Sequence, residues 1–227
     1  MRSAALALLA ALDGHQRTLA AQLFEDDAAR RWLEYRPRRR PGASIADMSR
    51  TARKAAHRLL ATGLSEQCFA QAMVIVALEE VLDLQERGEL GRHSGDYWVT
   101  VFGDPADGDP WSWRFEGHHL SVTMTVSGDE VSPAPVFLGA NPACVSYAGR
   151  PVSRPLAPEE DLARALLDAL GPTGRSAAVV ADQAPADIRS ATSPRAQPVL
   201  EPMGVCAAAL GPTPRADTHR LQHGLRT

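Results

Sequence analysis

The sequence predicts an α+β fold, in which an N-terminal helical layer packs on a small antiparallel β-sheet and further helices follow. Helical periodicity dominates the first ninety residues, aromatic and β-branched residues concentrate between Asp96 and Leu138, and helical signals return at Pro158. The chain has 227 residues, of which 44% are hydrophobic, so it can bury a sizeable core. We expect residues 1–190 to form one domain and residues 191–227, which show no sustained period, to form a disordered or aberrant tail.

N-cap residues and apolar spacing predict three helices before residue 90. Ser49 and Ser65 are typical N-caps, because their hydroxyls can accept backbone N–H bonds from a first helical turn. Gly63 and Gly88 stand where the second and third helices should end. The first apolar stretch resembles a signal peptide, but it is short, rich in alanine and has no clear cleavage site, so we interpret it as a helix. The predicted helices cover residues 4–12, residues 50–61 and the stretch between Ser65 and Gly88.

Strands are predicted after Asp96. Residues 97–102 are aromatic and β-branched, which predicts a buried strand, and residues 111–126 predict a longer strand beyond an acidic loop. A hairpin turn at residues 127–130 should lead into a return strand over residues 131–138, which two prolines make an edge or irregular strand. The remaining predicted features are a tight loop over residues 139–143, a helix with Pro158 in its first turn and a short helix over residues 176–181.

The long predicted strand changes its apolar face at Gly117. The apolar residues before this glycine are odd-numbered and those after it are even-numbered, which one regular strand cannot accommodate. Either both faces are covered, or an extra residue forms a β-bulge at Glu116–Gly117 and re-aims the side chains beyond it. The residues that define the change are Trp111, Trp113 and Phe115, followed by Leu120, Val122, Met124 and Val126.

His118 and His119 are the candidate metal ligands, and Glu116 is the candidate catalytic base, third ligand or partner of a ligand. Neutral imidazole is a common metal ligand, but adjacent residues of a regular strand point to opposite faces. Both histidines therefore reach one metal only where a bulge distorts the strand. The alternative is that they are hydrogen-bonded core residues that support the hairpin. The sequence contains neither the His-Glu-x-x-His pattern nor a Walker or Gly-x-Ser-x-Gly pattern.

Four further residues are candidates for binding a substrate, which we expect to be a small molecule or a peptide. Asn141, before Pro142, can present a polar side chain at the end of the hairpin, although a simple turn explains this pair as well. The other three candidates precede the histidine pair in the same segment. The four residues are Trp111, Trp113, Arg114 and Asn141.

Charge and cysteine content limit the partners. Residues 1–60 hold 12 Lys and Arg against 6 Asp and Glu, including the run from Arg36 to Arg40, whereas residues 61–227 hold 12 against 21. Trp32 and Tyr35 beside the run could stack on bases, but the sequence pI of about 6.2 argues against nucleic acid. The three cysteines form no Cys-x-x-Cys pair and no apolar span reaches 18 residues, so we expect a cytoplasmic protein without a membrane partner.

Several segments resemble a bacterial family known only as a domain of unknown function, number 3500. The resemblance covers roughly residues 5–190, and its most specific part is Glu116–Ser121. Longer relatives of that family continue with a His-Tyr-Tyr segment and an Asn-His-x-His segment before a Trp-Arg pair, which together with the first histidine pair imply a copper or iron site. This chain has neither segment, so the resemblance implies a truncated or frame-shifted member. The segments that carry the resemblance are Tyr97–Gly103, Trp111–Ser121, Phe137–Ala143 and Leu156–Leu170, with Gly63–Ser65 and Ala77–Glu79.

Two functions follow from these residues. The first is a metal-dependent enzyme of the oxidoreductase class, with a His-His centre that is incomplete in this chain. The second is a non-catalytic binding module or decayed paralogue, in which tryptophans and histidines form a core or bind a small ligand. An enzyme should gather polar groups around the histidines in a concave pocket, whereas a module should bury them with backbone partners.

Overall fold

The computed structural model describes residues 1–188, 190–193 and 203–224. The chain divides into two compact units, Met1–Pro155 and the residues from Leu156 onward. The predicted α+β class is confirmed, because the described residues form eight α-helices, a seven-stranded mixed sheet and a separate two-stranded sheet. The boundary at Pro155 differs from the expected one near residue 190, and a single domain over residues 1–190 stays a prediction.

Five helices of the first unit precede its central strands. The predicted caps are confirmed: the hydroxyls of Ser49 and Ser65 each accept a backbone N–H at 3.2 Å, from Ala52 and Cys68. A further cap at Asp13, which was not predicted, accepts the N–H of Gln16 at 2.8 Å. The helices are α1 (Arg2–Ala11), α2 (Gly14–Ala20), α3 (Asp27–Arg31), α4 (Arg50–Ala61) and α5 (Glu66–Gln85).

The large sheet is built on three long antiparallel strands, with short strands at its borders. Its order is β1-β3-β4-β5-β6, while β2 also pairs with β3 and β7 also pairs with β5. All pairings are antiparallel except that between β1 and β3. The return strand, which was predicted to be an edge or irregular strand, is divided at its prolines into β6 and β7. The strands are β1 (Ala21–Gln22), β2 (Ala43–Ser44), β3 (Tyr97–Phe102), β4 (Trp111–Gly117), β5 (Leu120–Ser127), β6 (Glu130–Ser132) and β7 (Val136–Leu138).

The prediction of one long strand over residues 111–126 is wrong, because His118 and His119 form the two-residue turn of a hairpin between β4 and β5. Gly117 pairs with Leu120, so an odd residue on β4 always faces an even residue on β5. Cross-strand partners share one face of a sheet, which explains the change of apolar numbering without a bulge. The turn lacks the glycine or asparagine that marks such hairpins, and His119 adopts φ +57° there.

The two faces of this sheet are buried in different ways. One face is apolar and packs against the helical layer, where the His57 ring of α4 lies 6.0 Å from the ring of Phe115. The other face carries buried polar groups, and the segment between α3 and β2 contributes to covering it, since Arg114 donates to the carbonyl of Trp32 at 3.2 Å. The buried polar residues of this second face are Thr100, Ser112, Arg114, Glu116, Ser121 and Thr123.

The rest of the described chain is simpler. The first unit ends in a two-stranded sheet that was not predicted, β8 (Val145–Tyr147) and β9 (Arg150–Ser153). The second unit contains α6 (Ala157–Ala169), which has Pro158 in its first turn as predicted, α7 (Gly171–Ala178), a 3₁₀ turn (Ala207–Ala209) and α8 (Pro212–Gly224). Helix α8 falls in the tail that was predicted to be disordered or aberrant, and residues 194–202 and 225–227 of that tail lie outside the described residues. In the described parts of the chain, no helix has both the length and the apolar character needed to cross a membrane.

Candidate functional site

A cavity of about 630 Å³ opens in the first unit, and His118 of the β4–β5 turn forms part of its wall. Small-molecule sites in proteins have volumes of about 300–1,000 Å³, so the space suits a small ligand. Eight of the twelve lining residues are polar or charged, and they carry charges of both signs. It consists of Pro37, Arg38, Arg39, Ser44, Asp47, Glu79, Leu90, Gly91, Arg92, Asp96, Trp98 and His118.

His118 forms an acid–base pair with Glu79 of α5. The Nδ1 atom of His118 lies 2.5 Å from Oε1 of Glu79, and both side chains are nearly buried. A carboxylate that accepts a hydrogen bond from Nδ1–H selects one imidazole tautomer and leaves Nε2 able to accept a proton or bind a metal. The pair therefore provides an oriented imidazole at the cavity wall.

Backbone hydrogen bonds fix the turn that carries this imidazole. The hydroxyl of Tyr97 donates to the carbonyl of His118 at 2.8 Å. The backbone N–H of His119 donates to the carbonyl of Tyr35 at 2.9 Å, and the carbonyl of His119 accepts from Gly139 at 2.8 Å. Strand β3, the segment before β2 and the loop after β7 thus hold the turn from three sides.

Arg92 connects this pair to the end of α5. Its Nη1 atom lies 3.4 Å from Nδ1 of His118 and 3.9 Å from Oε2 of Glu79. Its guanidinium also binds both carboxylate oxygens of Glu86, with its Nε and Nη2 atoms at 2.5 and 2.8 Å. The hydrogen bond from Arg92 lowers the pKa of Glu86, and the same contact raises the pKa of Arg92. Two carboxylates, one guanidinium and one imidazole therefore form a continuous charged cluster.

His119 is a neighbour of His118 but does not complete a metal site among the described residues. The two ring centroids lie 3.9 Å apart. Burial, followed by electrostatic interaction with His118 and Arg92, lowers the pKa of His119 to about 4, so its ring is neutral at pH 7. A neutral imidazole suits a metal, but the described parts of the chain contain no group of three His, Cys, Asp or Glu side chains that could hold one. These residues therefore supply two imidazoles and not a complete ligand set.

The arginine run is anchored at its start by Glu34, which is only 1% exposed. Arg36 donates to both carboxylate oxygens of Glu34 at 2.9 Å, and Arg38 lies 3.3 Å from the same carboxylate. Burial alone would raise the pKa of Glu34, but the hydrogen bonds from Arg36 outweigh it and lower this pKa to about 2. Arg36 and Arg38 are thus engaged in internal contacts with Glu34.

The end of the run is anchored by Arg40, which lies on the polar face of the large sheet. Its Nη2 atom donates to the carbonyls of Arg36 at 2.5 Å and Gly117 at 3.3 Å, and its Nη1 atom donates to the carbonyl of Arg38. Its Nε atom lies 3.7 Å from Oε2 of Glu116. Buried Arg40 therefore determines the shape of residues 36–40, which we call the arginine loop and which places Arg38 and Arg39 in the cavity wall.

Comparison with known proteins identifies the family of this chain. A family profile described as "protein of unknown function (DUF3500)" matches residues 1–223 of the chain. The chain belongs to this DUF3500 family. The match extends beyond residue 190, where the sequence resemblance was expected to end. A search of curated proteins and a search of solved structures found no match.

In this DUF3500 chain, Glu116 lies next to the cavity residues in sequence but on the polar sheet face in space. Its carboxylate accepts from Nε of Arg114 at 2.7 Å and lies near Arg40, and its side chain is 1% exposed. Burial raises the pKa of Glu116, while the two arginines act in the opposite direction. Glu116 is absent from the described cavity lining, so its predicted role as catalytic base receives no support from this placement.

The four predicted substrate-binding residues are also absent from the described cavity lining of this DUF3500 chain. Trp111 and Trp113 are fully buried in the apolar core. Arg114 is fully buried as well and donates to the carbonyl of Ala29 at 2.6 Å. Asn141 is exposed in the loop after β7. Their predicted roles in binding therefore gain no support.

Most of the cavity residues, Glu79 above all, were not predicted from the sequence. A signal for Glu79 existed, because it follows Ile75 by four residues and precedes Leu82 by three on the buried face of α5. A carboxylate on an apolar stripe requires a buried partner, which the helical pattern alone could have indicated. Arg92, Asp96 and Trp98 carried no comparable signal, because loop and strand-end positions do not reveal what they face.

Proposed function

We propose that the cavity binds a small molecule and that His118, oriented by Glu79, exchanges a proton with it. The observation that carries this proposal is the 2.5 Å contact between Nδ1 of His118 and Oε1 of Glu79 at the wall of the cavity. A positioned imidazole is the commonest general acid or base in proteins, and a carboxylate partner stabilises the imidazolium that forms when Nε2 takes up a proton.

The surroundings of His118 favour a catalytic role over a purely structural one. Polar groups gather around His118 in a concave space, which is the arrangement expected of an enzyme, although its ring is nearly buried and its turn has the backbone partners expected of a module. Arg92 lies beside the pair and binds Glu86, which holds its guanidinium in the same cavity wall. The alternative, a binding module without chemistry, uses the same cavity but needs no proton transfer.

The test is a ligand and activity screen with three variants. Small molecules that raise the thermal stability of the protein would be tested for turnover by the wild type and by His118→Gln, His118→Gly and the control His57→Gln. The control alters a half-buried histidine of α4 outside the described cavity lining. We expect the first two variants to retain ligand binding and to lose turnover by about 10²–10⁴-fold. Added imidazole should restore part of the turnover of His118→Gly.

Two results would count against this proposal. Unchanged turnover in His118→Gln would remove His118 from the chemistry. Ligands that bind without ever being converted, with equal affinity for the wild type and both His118 variants, would favour the binding module.

A metal-dependent oxidoreductase is the second candidate function. Glu79 hydrogen-bonded to His118 resembles the carboxylate partner of a metal-bound histidine, and neutral His119 lies beside it. Copper or iron would need ligands beyond the two imidazoles, because the described residues supply no third donor. Metal analysis of the protein after supplementation with copper and iron tests this candidate, and loss of bound metal in the His118→Ala/His119→Ala variant would support it. A metal-free protein would end it.

Three further inferences from the sequence stay proposals: a bacterial source, a cytoplasmic location and a truncated or frame-shifted C-terminus. Three free cysteines are compatible with a reducing compartment. Fractionation of the source cells would test the location. Sequencing of the gene beyond the codon for Thr227 would test the truncation. The missing segments in another reading frame would support it, whereas a verified stop codon, with residues 191–227 recurring in related chains, would contradict it.

A further inference from the structure

Three of the six Arg, Asp and Glu side chains that line the cavity have a partner within the protein. The guanidinium of Arg38 pairs with Glu34 at 3.3 Å. Arg92 binds Glu86, and Glu79 binds His118. A ligand gains little from a charge that is already matched, because it would have to replace the internal partner.

Three charged residues of the lining differ from these. Arg39, Asp47 and Asp96 are exposed and line the cavity. Within the described parts of the chain, none of the three forms an ion pair. The cavity therefore offers one guanidinium and two carboxylates to a ligand, and these charges have opposite signs.

The two carboxylates line the cavity together with one aromatic side chain, that of Trp98. Asp96 and half-buried Trp98 are two residues apart at the start of β3, so their side chains lie on the same side of the chain. Ser44 is the cross-strand partner of Trp98, and Asp47 follows three residues later. The N–H of Ala46 donates to the carbonyl of Gly95 at 3.1 Å, which holds these two segments together.

Together, Asp47, Asp96 and Trp98 have the chemistry of a binding site for an ammonium group. A carboxylate pairs with an ammonium group, and the face of an indole attracts a cation. Partial burial raises the pKa of Asp96, and the negative charges of Glu79 and Glu80 raise it further, although His93 opposes them. Because burial disfavours the ionised form of Asp96, a bound cation would stabilise that form.

The arginine loop supplies the opposite chemistry. Arg39 reaches the cavity from a loop that buried Arg40 fixes through three carbonyl groups. A guanidinium forms paired hydrogen bonds with a carboxylate or phosphate group, so Arg39 suits the anionic end of a ligand.

We propose that the cavity binds a zwitterionic small molecule, whose ammonium group lies by Asp47, Asp96 and Trp98 and whose carboxylate or phosphate group pairs with Arg39. This inference rests on the cavity of the proposed function, and it names the class of ligand that His118 and Glu79 would act on. It does not depend on proton transfer, so the two proposals can fail separately.

The experiment compares three probes that share one carbon chain: 4-aminobutyrate, butyrate and butylamine. Binding to the full chain would be measured by calorimetry and by tryptophan fluorescence, and aminocarboxylates with shorter and longer chains would establish the preferred spacing. We expect the best aminocarboxylate to bind at least about tenfold more tightly than the acid or the amine of the same length, since one additional ion pair in a partly enclosed site contributes about 1.4 kcal/mol or more. An aminoalkyl phosphate series would distinguish phosphate from carboxylate as the anionic end.

Two variants test which cavity residue contacts each end of the ligand. Asp96→Asn should remove the preference of the protein for the zwitterion over butyrate. Arg39→Gln should remove the preference of the protein for the zwitterion over butylamine. Asp129→Asn and Arg150→Gln are matched controls at exposed positions outside the described cavity lining, and both should bind like the wild type.

Each contrary result overturns the inference in a specific way. Equal binding of butyrate and 4-aminobutyrate would show a plain anion site, and equal binding of butylamine would show a plain cation site. Absence of saturable binding by every member of both series would exclude the ligand class. Zwitterion binding that His118→Gln leaves intact, with no conversion by the wild type, would retain this inference and overturn the proton transfer.

Discussion

The imidazole of His118 contacts the carboxylate of Glu79 at 2.5 Å, although 39 residues separate them in sequence. This contact joins the turn of the β4–β5 hairpin to the buried face of α5. Because α5 belongs to the helical layer and the hairpin belongs to the sheet, the pair connects these two layers. The same contact places an oriented imidazole at the cavity, which makes one interaction responsible for both packing and the proposed chemistry.

Removal of Glu79 should destabilise the protein strongly. In Glu79→Ala, Arg92 and His118 lose a buried partner, so we expect the free energy of unfolding to fall by about 2–4 kcal/mol. Glu79→Gln retains a hydrogen-bond acceptor and should have a smaller effect. Urea denaturation measures both, and Glu66→Ala, at an exposed position in the first turn of α5, is the control with an expected change of less than about 1 kcal/mol. Equal losses at positions 66 and 79 would show that the pair has no structural role.

Gly117 should tolerate no larger side chain. A Cβ at this position would lie 2.3 Å from Cδ1 of Tyr97, the residue whose hydroxyl holds the carbonyl of His118. Gly117→Ala must therefore displace the Tyr97 ring or the turn, and we expect it to lower the free energy of unfolding by about 1–3 kcal/mol, as overpacking does in other proteins. Gly108→Ala is the control, because nothing lies within 4 Å of its added Cβ. A thermal melt in which both variants match the wild type would contradict the close packing at Gly117.

Local signals predicted much of the fold correctly. Hydroxyl caps at Ser49 and Ser65 located α4 and α5, and aromatic and β-branched residues located β3. Each of these features depends on residues within one or two turns of the chain, so a single sequence contains what determines it. The change from odd-numbered to even-numbered apolar residues at Gly117 was also a real signal. A β-bulge and a hairpin turn both produce this change, and only the hairpin places the histidine pair in a turn.

The candidate site was predictable only in part, because its contacts are not local. His118 was a candidate from the sequence, and the structure places it in the cavity wall. Its partners come from α5, the loop after α5 and the arginine loop, and no spacing rule joins these segments. Glu116 was a candidate through its proximity in sequence, but Trp98 is its cross-strand partner and Arg114 and Arg40 are its ionic partners, all on the polar face of the sheet.

Acid should weaken the fold through Glu34. Its pKa is about 2 in the folded protein against an ordinary value of 4.5, so the unfolded chain binds the proton more readily. The carboxylate therefore stabilises the fold above pH 4.5, and this contribution is lost as the pH falls toward 2. At pH 7 it amounts to roughly 3 kcal/mol by the conversion of a pKa difference. Denaturation of the wild type and of Glu34→Gln should differ most at neutral pH and converge near pH 2.

The control for Glu34→Gln is Glu130→Gln, at an exposed position of β6. It should follow the wild type across the whole pH range. A constant difference between the wild type and Glu34→Gln down to pH 2 would show that neutralising this carboxylate is not what destabilises the variant.

Arg40 and Glu116 should be energetically coupled through the polar face of the sheet. Both side chains are buried and lie 3.7 Å apart, and Arg40 shapes the arginine loop that presents Arg39 to the cavity. Glu116→Ala leaves two buried arginines without their carboxylate, so we expect a loss of about 3–5 kcal/mol. A double-mutant cycle with Arg40→Met should give a coupling energy of about 1–3 kcal/mol. The exposed pair Glu160 and Arg164 of α6 is the control, with an expected coupling of less than about 0.5 kcal/mol.

The same variants separate the positioning role of Glu116 from a catalytic one. Displacement of the arginine loop in Arg40→Met should weaken binding of aminocarboxylates while butylamine binds as before, because only the anionic end of the ligand meets Arg39. Glu116→Gln keeps the shape of the side chain and should retain both binding and turnover. If Glu116→Gln folds and binds ligand like the wild type but loses turnover, then Glu116 exchanges protons with the substrate, and the assignment of that role to His118 would have to be shared or withdrawn.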